Sequence, residues 1–164
     1  MTPNELLEIM KKSIIKTGFL KNTSVYGRPE YLVLTEDLYG KGVNTNGESV
    51  PVLNLKNYNS LKSMDKHLNY GGRFLSYICD YKKNALSYQV LGSESDFMFT
   101  ITMNGCTFGA GAPSASGDVL VSHGNQASPP EGQHFPTGTQ AEKQLALATS
   151  FHGNGTEYLE PSQY

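Results

Sequence analysis

Apolar residues near the start of the chain recur at the spacing of one helical face. These residues are Leu6, Leu7, Met10, Ile14 and Ile15. Their spacing predicts an amphipathic helix with Asn4 as its N-cap. Near the other end of the chain, residues 140–151 predict a second helix, with Thr139 as its N-cap and Leu145 and Leu147 as its apolar anchors.

The segments between these helices show the alternation and the short apolar runs that are typical of β-strands. Four of the predicted strands cover residues 31–35, 50–55, 73–81 and 85–91. We expect the second of these strands at a sheet edge, because Pro51 has no backbone N–H to donate. The spacing of Leu61, Met64 and Leu68 predicts a short helix over 58–68, which ends at a pair of glycines.

A further strand leads directly into a cysteine. By alternation, one face of a strand over 97–103 is wholly apolar (Phe97, Phe99, Ile101 and Met103) and the other is mostly polar (Met98, Thr100 and Thr102), which is the pattern of a half-buried strand. The dipeptide Asn104-Gly105 follows and is a strong turn signal, and Cys106 comes immediately after it. Glycine at position 105 allows the backbone to pass close to a bound substrate.

The next predicted strand carries a histidine. A glycine-rich segment, 109–117, predicts a flexible loop, and the strand over 118–124 then contains His123. Both faces of this strand are partly apolar, which indicates a central position in its sheet. If the strand before Cys106 is its neighbour, the loop between the two strands returns His123 to the side of the thiol. Residues 126–139 predict an exposed loop.

Composition limits the class of protein. A chain of 164 residues with 17 glycines and short strands predicts one α+β domain over 1–164, with a β-sandwich-like mixed sheet core and a few flanking helices. The formal net charge of −2 argues against a nucleic-acid-binding protein, which normally carries a basic patch. The apolar runs are too short to cross a bilayer.

The cysteines and histidines do not predict a metal site. Cys79 and Cys106 are the two cysteines, and neither their spacing nor the positions of the four histidines match a zinc pattern. We therefore expect no metal and no cofactor. Cys79 lies in an apolar stretch and is expected to be a buried, inert packing residue.

Cys106 and His123 together predict nucleophilic chemistry. A thiol attacks a carbonyl when a base within hydrogen-bond reach removes its proton, and an imidazole does so near neutral pH. Ser122 and Asn125 flank His123, where they could hold the ring or contact a substrate amide. His134 and His152 are alternative bases. The competing interpretation is that the cysteine and the histidine are ordinary core residues.

The residues around the cysteine resemble a known family. The stretch Thr102-Met-Asn-Gly-Cys-Thr107, with a histidine on the next strand, is similar to the Leu-X-Gly-Cys motif of the glutamine deamidase toxins. That family includes the catalytic domain of the cytotoxic necrotizing factors, the Burkholderia lethal factor and, more distantly, the receptor deamidases of chemotaxis. Met103 stands where the family has leucine.

The resemblance implies a reaction and a set of site residues. Cys106 would attack a glutamine side-chain amide of a target protein, and His123 would take the thiol proton and pass it to the leaving ammonia. Asn104 and Gly105 belong to the motif and would contact the substrate. A backbone carbonyl orients the histidine in these enzymes, and Thr100 or Thr102 would offer it here. The family fold is a β-sandwich with flanking helices.

The resemblance also implies a biological setting, that of a bacterial effector acting in a host cell. The target would be a host protein, such as a Rho-family GTPase or a translation factor, and we expect the effector itself to be a monomer. The first residues, Met1 to Glu5, lack the basic region of a signal peptide. We therefore expect either secretion by a route that reads no Sec signal or a bacterial cytoplasmic location. A cysteine protease, a transglutaminase-like acyl transferase and a non-catalytic β-rich binding module are the alternatives.

Overall fold

The computed structural model describes most of the chain in two compact units. The residues described are 1–18, 20–24, 27–61, 69–82, 85–101, 103, 105–125, 140–153, 156–160 and 163. One unit consists of Met1–Tyr77 and Glu94–Thr102, and the other of Ile78–Ser93 and Met103–Tyr164. No helix among the described residues is long and apolar enough to cross a membrane.

The secondary structure is mixed, with a predominance of strands, which confirms the predicted α+β class. In chain order the described elements are α1 (Pro3–Lys11), β1 (Ile14–Lys16), β2 (Glu30–Val43), β3 (Ser49–Asn57), a 3₁₀ helix (Tyr58–Ser60), β4 (Asn69–Cys79), β5 (Ala85–Leu91), β6 (Met98–Thr100), β7 (Thr107–Ala110), β8 (Val119–Asn125), α2 (Gln140–His152) and β9 (Glu157–Leu159). One sheet has the strand order β1-β3-β2-β4-β6, and the other has the order β5-β8-β7-β9.

The first helix is shorter than predicted and begins at a different cap. Thr2 is the N-cap, and its hydroxyl accepts the backbone N–H of Glu5 while the Glu5 carboxylate accepts the N–H of Thr2. This reciprocal capping box outcompetes Asn4, so the predicted cap is wrong. Ile14 and Ile15 do not continue the helix, because they form β1, which pairs in parallel with β3.

Strand β3 lies inside its sheet, so the predicted edge position is wrong. It has β1 on one side and β2 on the other. Its pairing with β1 begins at Val52, opposite Ile14, and therefore starts one residue after Pro51. Proline is tolerated in an interior strand here because its missing N–H falls outside the ladder with β1.

The glycine pair that was expected to end a helix forms a bulge in β4 instead. Leu32 of β2 lies opposite Phe74, whereas Leu34 lies opposite Tyr70, so β4 contains extra residues at this point. Gly71 and Gly72 have φ of 80° and 88°, a conformation that residues with a Cβ rarely adopt. Of the helix predicted over 58–68, Tyr58–Ser60 is a 3₁₀ helix, and 62–68 lie outside the described residues.

The second sheet places the histidine strand at its centre, as predicted, but gives it a different neighbour. Strand β8 lies between β5 and β7. The strand that precedes Cys106 belongs to the other sheet, as β6, so the condition under which a pairing of 97–103 with 118–124 would return His123 to the thiol is not met. The neighbour is β7, which begins directly after Cys106 in a segment whose later part was predicted to be a loop.

Strand β7 was missed because glycine normally disfavours strands. Gly109 lies under the ring of His152, and a Cβ at this position would come within 3.1 Å of His152 Nε2 and of Ser122 Oγ. Glycine therefore allows α2 to approach the strand closely, which is one of the established uses of glycine inside a sheet.

Helix α2 confirms the predicted second helix, although its buried residues differ from the expected anchors. Gln144 and Ala148 are buried, whereas Leu145 and Leu147 are only half-buried. The helix packs against β7 and β8, and Gly153, with φ of 78°, closes it. The predicted cap, Thr139, and the loop 126–139 lie outside the described residues.

Candidate functional site

Cys106 and His123 belong to one face of the second sheet. His123 lies directly opposite Phe108 in the antiparallel pair β7 and β8, and opposite residues of such a pair project to the same face. Alternation carried one residue before β7 puts Cys106 on the face of Phe108. The thiol and the imidazole then stand on a diagonal, for which Cβ atoms are roughly 7–8 Å apart or somewhat closer.

The turn that delivers Cys106 is built on a glycine. Gly105 has φ of 72°, in the left-handed region, and the space around its missing Cβ is open within 4 Å. Backbone conformation, and not crowding, therefore requires glycine at this position. The neighbouring motif residue Asn104, which was expected to contact the substrate, lies outside the described residues.

The thiol and the imidazole are both buried. Cys106 is 2% exposed and His123 is 1% exposed. Neither Cys79 nor Cys106 is part of a disulfide. A substrate side chain can reach Sγ of Cys106 only after atoms that cover it have moved apart.

A tyrosine and an aspartate that follow β4 contribute to the surroundings of His123. The Tyr81 ring meets the imidazole edge to face, with 5.6 Å between ring centroids, and the Tyr81 hydroxyl accepts a hydrogen bond from Asn125 Nδ2. Burial lowers the pKa of His123, while the negative charge of Asp80 partly opposes this effect. A lowered pKa keeps the imidazole neutral, the form that accepts a proton.

Cys79 is close to His123, but its surroundings disfavour the thiolate form. The backbone N–H of His123 donates to Cys79 Sγ, yet burial, with a smaller contribution from Asp80, raises the pKa of this thiol to about 12. Its side chain is 0% exposed. The predicted burial of Cys79 is therefore confirmed, and its chemical inertness stays a prediction that the raised pKa supports.

Ser122 and His152 lie on the opposite face of the sheet and bond to one another. Ser122 Oγ and His152 Nε2 are 2.6 Å apart, beneath α2. Because successive residues of a strand alternate, Ser122 projects away from the face of His123. Its expected role at the ring or the substrate amide stays a prediction, which this position does not favour. His152 is likewise not placed to act as a base for Cys106. Burial lowers its pKa.

The remaining predicted residues are divided among different parts of the chain. Asn125 shares the face of His123 and bonds to Tyr81, which supports a role in holding the site. Thr100 is the last residue of β6, in the other unit. That its carbonyl orients His123 stays a prediction. Thr102 and His134 lie outside the described residues.

Three residues near the site were not predicted from the sequence, namely Asp80, Tyr81 and Gln144. Asp80 and Tyr81 are the last residues of a predicted strand. Gln144 lies on the predicted second helix, for which the sequence indicates Leu145 and Leu147 as the residues that pack on the sheet. Gln144 donates from Nε2 to the Gly105 carbonyl, 3.1 Å away, and accepts at Oε1 from the Thr107 hydroxyl, 3.0 Å away. The feature of the sequence that could have indicated Gln144 is its position one helical turn before Ala148, on the same helix face.

The geometry defines a β-rich α+β protein with a buried thiol and imidazole on one sheet face. Within the described part of the chain, no group of three or more histidine, cysteine or acidic side chains could hold a metal ion. The chain matches no protein-family model, no curated protein and no solved structure at the level required of a match. The likeness to the glutamine deamidase toxins therefore rests on its short motif.

Proposed function

We propose that the second unit carries a cysteine amidohydrolase site that deamidates glutamine side chains of a protein substrate. The observation that supports the proposal is the position of Cys106 directly before β7, whose Phe108 lies opposite His123 of the adjacent strand β8. Alternation carried back by one residue puts Cys106 on that face. Two short strands with a fixed register keep a nucleophile and its base on the same surface.

In the proposed reaction Sγ of Cys106 attacks the amide carbon of a glutamine, and the thiol proton passes to His123. The C–N bond then breaks, the imidazolium returns this proton to the nitrogen, and ammonia leaves. Water next attacks the thioester and gives its proton to His123. The C–S bond breaks, the thiol is restored, and the product is glutamate.

The surroundings of His123 suit this cycle. The base must be neutral before the attack and cationic after it. Burial favours the first state, and the nearby Asp80 carboxylate favours the second. Tyr81 packs against the ring and limits its rotation. On this proposal the protein is a bacterial effector that acts in a host cell, and a Rho-family GTPase or a translation factor is its target.

The test is the intact mass of candidate host proteins after incubation with the effector. We expect a gain of about one dalton on the target, mapped to a glutamine, since an amide nitrogen has been replaced by oxygen. Cys106→Ser should abolish the gain. The matched control is Cys79→Ser, which removes the other thiol but keeps an acceptor for the His123 N–H and should retain the activity.

A target whose mass changes equally with Cys106→Ser would contradict the proposal. Cleavage of the target, or its cross-linking to an amine, would keep the thiol chemistry but replace deamidation by proteolysis or acyl transfer. The burial of Cys106 favours a second candidate, a non-catalytic binding module. Alkylation of Cys106 in the native protein as slow as that of Cys79 would support this candidate.

A further inference from the structure

The polar side chain of Gln144 occupies a position where an apolar residue would be expected. It is 1% exposed on α2, in the layer where the helix meets β7 and β8. Burial of an amide is unfavourable unless its hydrogen bonds are made. Ala148, one turn later on the same helix, is also buried but carries no polar side-chain group, which is the usual choice at a buried helix position.

Both ends of the Gln144 amide are engaged, and the two partners flank the nucleophile. Nε2 donates to the carbonyl of Gly105, the residue before Cys106, at 3.1 Å. Oε1 accepts from the hydroxyl of Thr107, the residue after Cys106, at 3.0 Å. The Gln144 side chain of α2 thus bonds to the residues on both sides of Cys106 and forms a bridge across it.

We propose that Gln144 is a positioning residue for the Cys106 thiol, which it holds in place through Gly105 and Thr107. This inference rests on the proposed function, because it assigns Gln144 to the same site. The residue does not touch the substrate, since it lies on the α2 face of the sheet.

The physical need for such a restraint comes from Gly105. Glycine with φ of 72° has open space around it, so the backbone before the thiol is not confined by packing of a side chain. A hydrogen bond to its carbonyl fixes the plane of the Gly105–Cys106 peptide, which is trans and planar. The bond to Thr107 fixes the other side of the residue, and together they set the direction of the Cys106 side chain towards His123.

The experiment measures the alkylation rate of Cys106 by iodoacetamide, followed by peptide mass mapping that separates Cys106 from Cys79. The ratio of the rates at about pH 9 and pH 6.5 cancels differences in access to the thiol. An unassisted thiol gains roughly a hundredfold over this interval. A thiol whose proton passes to a neighbouring imidazole gains far less, which we take as less than about tenfold.

Two variants remove the bridge. Gln144→Met keeps a side chain of similar length without hydrogen-bonding groups, and Thr107→Val removes one hydroxyl while keeping the branched shape. Both should raise the ratio by about tenfold, towards the unassisted value. Thr107→Ser restores the hydroxyl and should restore a low ratio. Ala148→Gly destabilises the same helix without touching the bridge and should leave the ratio within about twofold of the parent.

The outcomes separate the two proposals. A low ratio in the parent protein that persists in Gln144→Met overturns the positioning role alone. So does a rise in Ala148→Gly as large as that in Gln144→Met. A high ratio already in the parent protein shows that Cys106 and His123 do not act together, and it overturns both proposals. A low ratio that is lost with the bridge supports the positioning role even if no deamidated target is found.

Discussion

Two glycines beside the candidate site are required for different physical reasons. Gly105 adopts a left-handed φ with open space around it, whereas a Cβ at Gly109 would press on His152 and Ser122. The first glycine satisfies a backbone conformation and the second satisfies close packing between a helix and a strand. Only the first could be inferred from the sequence, because Asn-Gly is a local turn signal, whereas the partner of Gly109 is remote in the chain.

Substitution of Gly105 should reveal a conformational cost without a packing cost. We expect Gly105→Ala to lower the free energy of unfolding by about 1–2 kcal/mol, the cost of left-handed backbone for a residue with a Cβ. Gly105→Asn should cost less, because asparagine tolerates this region. Urea unfolding curves of the two variants provide the comparison. Equal losses for alanine and asparagine would contradict the assignment of the cost to φ.

At the residue scale the sequence singled out the two side chains proposed to react, Cys106 and His123, but not the residues that contact their surroundings. Alternation alone put His123 on the face of Val121, and the structure agrees. Asp80, Tyr81 and Gln144 were missed because each becomes relevant only through a neighbour far away in the chain. No local pattern distinguishes a buried glutamine that bridges a loop from an exposed glutamine on a helix.

At the scale of elements, strand existence was easier to predict than strand partnership. The pattern found β2, β3, β4, β5, β6 and β8, but it placed Pro51 at an edge and left open whether 97–103 pairs with the histidine strand. Both points concern which strand is the neighbour, and neighbours are decided by tertiary packing. Strand β7 was missed because its composition, Thr-Phe-Gly-Ala, follows the needs of α2 and not those of an average strand.

The capping box of α1 gives a test at this scale. Thr2→Ala removes the hydroxyl that accepts the Glu5 N–H and should lower the free energy of unfolding by about 1 kcal/mol. Thr2→Ser keeps the acceptor and should stay close to the parent. Asn4→Ala is the informative control, since Asn4 lies inside the helix and should cost little. A larger loss for Asn4→Ala than for Thr2→Ala, measured by urea unfolding, would restore the cap that the sequence suggested.

At the scale of the whole molecule, the α+β class followed from composition and periodicity, but the division into units did not. Each unit draws on two separate stretches of the chain, and the boundary falls inside β4, between Tyr77 and Ile78. Nothing in the sequence marks this point, because β4 is a continuous strand there. The prediction of one catalytic domain over 1–164 stays a prediction.

One buried histidine, His123, and one half-buried histidine, His152, should make the stability of the molecule depend on pH. Burial lowers the pKa of both His123 and His152 from the ordinary value of 6.5. Below pH 6.5 the two histidines bind protons more readily in the unfolded chain than in the folded protein. Falling pH therefore favours the unfolded state. We expect full stability above this pH and a progressive loss as the pH falls towards the folded values.

Urea unfolding at intervals between about pH 8 and pH 5 measures this effect. The double variant His123→Gln/His152→Gln should show a flatter profile than the parent. The lowered carboxylate pKa values of Glu5 and Glu8 start from 4.5 and act at lower pH, so they do not account for a loss that begins near pH 6.5. An unchanged slope in the double variant would assign the loss to other groups.

The hairpin of β7 and β8 also determines how relatives of this chain can be recognised. The register of β7 and β8 determines which face of the sheet carries His123 and, by alternation, Cys106. Residues can therefore be inserted or deleted at the hairpin tip, 111–118, without moving either residue to the other face. One residue gained within β8 would turn the imidazole to the other face. We therefore expect homologues to vary in the interval from cysteine to histidine and to keep the same parity within each strand. A search profile should anchor two short blocks, 105–110 and 119–125, and leave the gap between them open.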